Sequence, residues 1–123
     1  LNQLKDLEKQ IQYISYDDIA VKNKYSYPEA IKTGLNFINS EPFGIEMDLD
    51  AIQNIASSAL TPSGFSVEQA RNFTFLVGQH KNSCYLHICE GAPSFEQNQN
   101  TNQTGKLIAY LVTDFIKSKL EKL

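Results

Sequence analysis

The sequence predicts an α/β domain, a small and mostly parallel sheet covered by helices. Three observations carry this. Segments with apolar residues at helical spacing alternate with short apolar runs, and such alternation favours parallel strands joined by crossover helices. The 123 residues are 41% hydrophobic, enough for one core without a disulfide staple. Six Tyr and seven Phe, with many Ile and Leu, can offset the entropy of ordering the chain.

The elements follow in order. Leu1, Leu4, Leu7, Ile11 and Ile14 recur every three or four residues, which predicts a helix over 2–10. Ile11-Gln12-Tyr13-Ile14 reads as a short strand, left by turn residues that include Asp17 and Asp18. A helix opens at Ser26-Tyr27-Pro28-Glu29, with Ser26 or Tyr27 as cap, and stops at Glu41-Pro42. Phe43 to Leu49 alternates apolar residues and reads as a strand; 51–60 is a short helix or an irregular loop. Thr61-Pro62-Ser63-Gly64 is a turn. Ser66-Val67-Glu68-Gln69 is a capping box opening a helix that runs to Gly78. Ser83–Cys89 is a third strand, and the Gln/Asn-rich stretch 96–104 is a mobile surface loop. The last helix starts at Thr104-Gly105 and buries Leu107, Ile108, Leu111, Val112, Phe115, Ile116 and Leu120. With no repeat and no linker, residues 1–123 are expected to form one domain.

Composition excludes several classes. Eleven Lys+Arg against 14 Asp+Glu, with no basic cluster, argue against nucleic acid as a partner. No apolar run approaches the roughly 18 residues of a membrane span, and no signal-type segment opens the chain. Cys84 and Cys89 do not make a disulfide framework and read as small core residues, which fits a cytoplasmic protein. The chain starts at Leu1 and its only Met is Met47, inside an apolar stretch. The expectation is a piece of a longer polypeptide.

Asp48 and Asp50 are the sharpest chemical feature. They leave the strand ending at Met47, and in parallel sheets sites form beyond the carboxyl ends of strands. On an extended backbone they share a face about 7 Å apart, where two charges repel by about 2 kcal/mol at an effective dielectric of 20. A divalent cation removes that repulsion and takes oxygen ligands. A solvated strand end or a helix cap at Ala51 explains the same pair. Glu90 ends the next strand and should emerge on the same edge, where it can hold a cationic substrate or be an ordinary loop acid. His87 reads as a core histidine rather than a ligand, and His80 as solvent-facing. Glu46 is a supporting partner of Asp48 or simply faces polar neighbours. The sequons at Asn72 and Asn102 have no secretory context. Phosphate-binding glycine loops, Cys/His zinc spacings and nucleophile elbows are absent from the sequence.

Three ordered pieces resemble one family. Gly44-Ile45-Glu46-Met47-Asp48-Leu49-Asp50, Thr61-Pro62-Ser63-Gly64-Phe65-Ser66 and Tyr85-Leu86-His87-Ile88-Cys89-Glu90-Gly91 look like the C-terminal part of the ureohydrolases, that is, arginases, agmatinases and formimidoylglutamases. The resemblance covers residues 43–118. It implies a three-layer α/β/α sandwich of arginase-like fold and a binuclear manganese site that supplies the attacking hydroxide. It further implies that Asp48 and Asp50 bind both Mn2+ ions and that Glu90 orients a guanidino or formimino substrate. Sheet positions that the rest of such a protein would cover are then exposed, and because an exposed parallel edge invites pairing, self-association into a homo-oligomer is expected.

Two departures accompany the resemblance. The family continues its Asp-x-Asp with Asp-Pro three residues on, where this chain has Gln53-Asn54. The family's remaining metal ligands, an Asp-Ala-His-x-Asp motif and an upstream His, have no match here. The isolated chain therefore carries about half of a metal site and should be inactive. Two rivals stand beside this reading. A haloacid-dehalogenase-like phosphatase would use Asp48 as nucleophile and Lys106 downstream, but Ile52 stands where a Thr or Val is usual and no acidic pair follows Glu90. The other rival is a non-catalytic α/β binding or regulatory module, or a pseudoenzyme.

Overall fold

A computed structural model describes residues 10–38 and 40–121. Apart from Gln10, the helix expected over 2–10 lies outside the described residues. The chain divides at Glu41/Pro42 into two compact units.

Among the described residues, the first unit holds two helices, α1 (Tyr16–Ala20) and α2 (Tyr27–Ile38). The strand expected at Ile11–Ile14 is not formed. A short apolar run becomes a strand only against a neighbour that takes its backbone hydrogen bonds, and here Ile11 and Tyr13 are exposed. Asp17 and Asp18 lie in α1 rather than in a turn. Ser15 caps that helix, its Oγ accepting from the Asp18 N–H at 3.1 Å and donating to Asp18 Oδ2 at 2.8 Å. Lys24, then Ser15 and Lys22, draw the Asp18 carboxyl down to about 2. Ser26 and Glu29 close α2 reciprocally: the Glu29 carboxylate accepts from the Ser26 N–H at 2.8 Å, and the Glu29 N–H donates to Ser26 Oγ at 3.4 Å.

The second unit runs β1 (Phe43–Asp48), α3 (Val67–Gly78), β2 (Ser83–Cys89) and α4 (Gln103–Leu120). The sheet is parallel and α/β in character, as expected, but the described residues give it two strands, not three. Ile45 pairs with Leu86, Glu46 with His87 and Met47 with Ile88. Strand alternation turns Met47, Leu86 and Ile88 toward the helices, where they join Leu49, Ile52, Ile55, Ala70, Leu107 and Leu111 in one core. Leu49 and Leu111 are fully buried, and each such side chain contributes about 1.5–3 kcal/mol by leaving water.

Local chemistry sets the helix ends. Ser66 and Gln69 form the anticipated capping box, with bonds of 2.9 and 3.1 Å. Helix α4 begins at Gln103, ahead of the expected Thr104-Gly105 start, because Glu96 supplies its cap from the preceding loop. The Glu96 carboxylate accepts the N–H groups of Gln103 at 3.1 Å and Thr104 at 2.7 Å. These donors, Thr104 first, hold its carboxyl below the ordinary range. Helices α3 and α4 approach closely at Gly78, where a Cβ would collide with Ser118 Oγ. Between them Arg71 grips buried Asp114 by two hydrogen bonds, at 2.7 and 3.1 Å, and lies over the Tyr110 ring. Among the described residues no helix is long and apolar enough to cross a membrane.

Candidate functional site at the strand ends

Strand β1 stops at Asp48 because that residue's side chain caps the next turn of chain. Asp48 Oδ1 accepts the Asp50 N–H at 2.9 Å and folds Leu49–Ala51 into a single 3-10 turn. Asp50 is therefore not on an extended backbone, and the same-face spacing expected of the pair does not apply. The cause is local: a short carboxylate bonding the N–H two residues on competes with the strand ladder. Asp50 instead turns toward the loop. Its Oδ1 accepts the Ala59 N–H at 2.9 Å and its Oδ2 the Ser58 hydroxyl at 3.0 Å. The Ala59 N–H, followed by the Ser57 and Ser58 hydroxyls, holds the Asp50 carboxyl below the ordinary range.

The stretch 51–60, anticipated as a helix or an irregular loop, is part of a closed loop that runs on to Phe65. Gln53 N–H donates to Phe65 O at 3.0 Å, Phe65 N–H to Ala51 O at 2.9 Å and Asn54 N–H to Thr61 O at 2.9 Å. The fit requires Gly64, because a Cβ there would meet the Ala51 carbonyl oxygen at 2.6 Å. Asn54 takes the left-handed conformation, with φ 59°.

Strand β2 delivers Glu90 to the same edge. Glu90 also sits in the left-handed region, with φ 62°, which costs a non-glycine residue about 1 kcal/mol. Residues 56–58 pair with the chain just beyond β2: Ser57 bridges Gly91, Ala92 N–H donates to Ala56 O at 2.9 Å, and Ser58 N–H to Glu90 O at 3.3 Å. That staple brings Ser58 Oγ to 2.7 Å from Glu90 Oε2. One hydroxyl thus joins Asp50 to Glu90. The sequence reading missed Ser58, which sits 32 residues before Glu90 in a run of small residues with no local motif.

Other residues lie elsewhere than expected. His87 is not in the core: it stands 59% exposed on the outer face of the sheet, with Nδ1 at 2.5 Å from Glu46 Oε2. The register explains this, since Glu46 and His87 are cross-strand partners on the face away from the helices. Glu46 is thereby paired with His87 rather than with Asp48. His80 is half-buried, not solvent-facing; its Nδ1 accepts the Asn82 N–H at 3.2 Å and its ring leans on Phe43. Cys84 is exposed and Cys89 only half-buried, and both are free thiols. The register shift between Phe43 and Gly44 breaks the strand's alternation beside Cys84. Lys106 is exposed, and no described ion pair links it to Asp48.

The electrostatics of the edge are one-sided. Burial raises the Cys89 thiol, and Asp48, Glu90, Glu46 and Asp50 raise it further. Among the described residues no Lys or Arg pairs with Asp48, Asp50 or Glu90. The donors are hard carboxylate oxygens with lone pairs to spare, which suits manganese or magnesium. Among the described residues no three His, Cys, Asp or Glu side chains converge to hold a metal. Carboxylates of this kind hold a hard divalent cation only as part of a larger donor set.

By sequence, no protein-family model and no curated protein matches the chain. By structure, arginase from Bacillus caldovelox superposes with a TM-score of 0.76, over 97% of this chain and 40% of that one, at 11% identity. The fold is that of the arginases. Arginase from Entamoeba histolytica, solved in complex with L-ornithine, gives a TM-score of 0.71 at 21% identity over 92% of this chain and 38% of that one. Formiminoglutamase from Trypanosoma cruzi, solved with Mn2+, shares the arginase-like fold at a TM-score of 0.66 and 15% identity, over 77% of this chain and 31% of that one. At these identities the likeness is one of fold, and the chain spans 31–40% of the length of these arginase-like structures.

Proposed function

We propose that this chain is the C-terminal part of a manganese-dependent ureohydrolase that hydrolyses a guanidino or formimino C–N bond. The observation that carries the reading is the Ser58 hydroxyl joining Asp50 to Glu90 beyond the ends of two parallel strands. The arginase-like fold and the order of the sequence motifs support it. Asp48 and Asp50 would hold manganese, which supplies an ionised water at neutral pH. Glu90 would orient the substrate, because a carboxylate pairs with a planar amidinium through parallel hydrogen bonds. Residues of the larger polypeptide would complete the donor set, so the 123 residues alone are inactive.

The test uses the intact polypeptide that contains this segment, assayed with manganese on L-arginine, agmatine and N-formimino-L-glutamate. One of the three is expected to turn over, with activity lost on chelation. Glu90→Gln is expected to lower kcat/KM about a hundredfold, the loss of one charged substrate contact. Failure of all three substrates with manganese present overturns the reading.

A further inference from the structure

The proposed function gives Asp48, Asp50 and Glu90 roles and leaves Ser58 without one. We infer that Ser58 is a positioning residue that couples cation binding at Asp50 to substrate binding at Glu90. The inference rests on the proposed function and adds a residue to it.

Three features carry it. The backbone of Ser58 is fixed against that of Glu90 by its own N–H bond and by the flanking Ser57–Gly91 and Ala56–Ala92 pairings. From that anchored backbone its hydroxyl lies between the two acids, 2.7 Å from Glu90 Oε2 and 3.0 Å from Asp50 Oδ2. A serine hydroxyl has a single hydrogen and can donate to only one of two acceptors at a time. The two carboxylates thus compete for one donor.

A cation taking the Asp50 oxygen ends that competition. The hydrogen is then committed to Glu90, whose carboxylate is fixed by it while the other oxygen and the remaining lone pairs face a substrate. Coupling of this kind is reciprocal, so a cationic ligand seated on Glu90 tightens metal binding by the same factor. The backbone supports this division of labour. Glu90 is held in a left-handed conformation, and the Ser58 contacts to its main chain and side chain secure the carboxylate against relaxing out of it.

The test measures binding, not turnover. On the intact polypeptide, Mn2+ affinity is determined by calorimetry with and without methylguanidinium, for the parent protein, Ser58→Ala and Ser58→Thr. The parent is expected to bind Mn2+ about tenfold tighter when methylguanidinium is present, the size of one charged hydrogen bond. Ser58→Ala should still bind Mn2+ but lose the enhancement, and Ser58→Thr, which keeps the hydroxyl, should restore it. Ser58 is exposed, and an unchanged melting temperature will confirm that the variants fold. An enhancement that survives in Ser58→Ala overturns the role of Ser58 while leaving the proposed function standing. A parent protein that binds no Mn2+ overturns both.

Discussion

Asp114 and Asp50 lie in the same unit and are treated in opposite ways. Asp114 is 7% exposed between α3 and α4 and is neutralised there by a bidentate arginine. Asp50 sits at the strand ends among other acids and receives only a backbone N–H and neutral hydroxyls. A buried charge must be paired internally or the helices cannot close over it. A charge at an open edge needs no internal cation and stays available to one from outside. The chain has enough basic residues to pair both. The first carboxylate thus serves the fold, and the second keeps its charge without a cationic partner among the described residues.

The strongest way to break this contrast is to unpair the buried acid. Arg71→Met should cost about 3 kcal/mol in urea denaturation, near the low end for a broken buried pair, because Arg71 itself is 42% exposed. Arg71→Met with Asp114→Leu should recover most of that loss, since an apolar pair of similar volume replaces the charges. A single variant as stable as the parent would erase the distinction between the two acids.

A smaller effect of opposite sign is expected at the open edge. Glu90→Gly removes a carboxylate and relaxes a left-handed backbone, so it should raise stability by about 0.5 kcal/mol. That is the pattern expected where strain serves a function. A loss of more than about 1 kcal/mol would mean that Glu90 supports the fold, as Asp114 does.

The third carboxylate, Glu96, sharpens the comparison through pH. It is fixed by backbone donors at the start of α4, and its folded value lies below the ordinary 4.5. A depressed carboxyl contributes stability that is full above the unfolded value and lost as pH falls through the folded one. Glu96→Gln should therefore flatten the acid limb of a melting-temperature profile below pH 4.5 and change little in shape above it. An acid limb as steep as the parent's would show that Glu96 contributes nothing to it.

Much of the fold could be read from sequence because its determinants are local. The Ser66–Gln69 box fixes the start of α3 within four residues, and β2 is bounded by apolar content alone. Where a determinant lies far along the chain, the reading fails. Ile11–Ile14 has the residues of a strand but finds no partner. His87 looks like a core residue until the register sets it opposite Glu46, 41 residues away. In the candidate site, Asp48, Asp50 and Glu90 could be found from their positions after apolar runs. The 3-10 turn that redirects Asp50 and the staple that brings in Ser58 could not.

The parallel pairing of β1 and β2 also governs how the second unit forms. Each residue of β1 finds its partner about 40 residues later, beyond a loop and a helix. No hairpin can nucleate this sheet, and closing a loop of that length costs about 3 kcal/mol in chain entropy before any strand bond is made. Within that span the capped helix α3 and the Asp48-capped turn can form on local interactions. The acidic edge, where both strands end, therefore depends on contacts far apart along the chain.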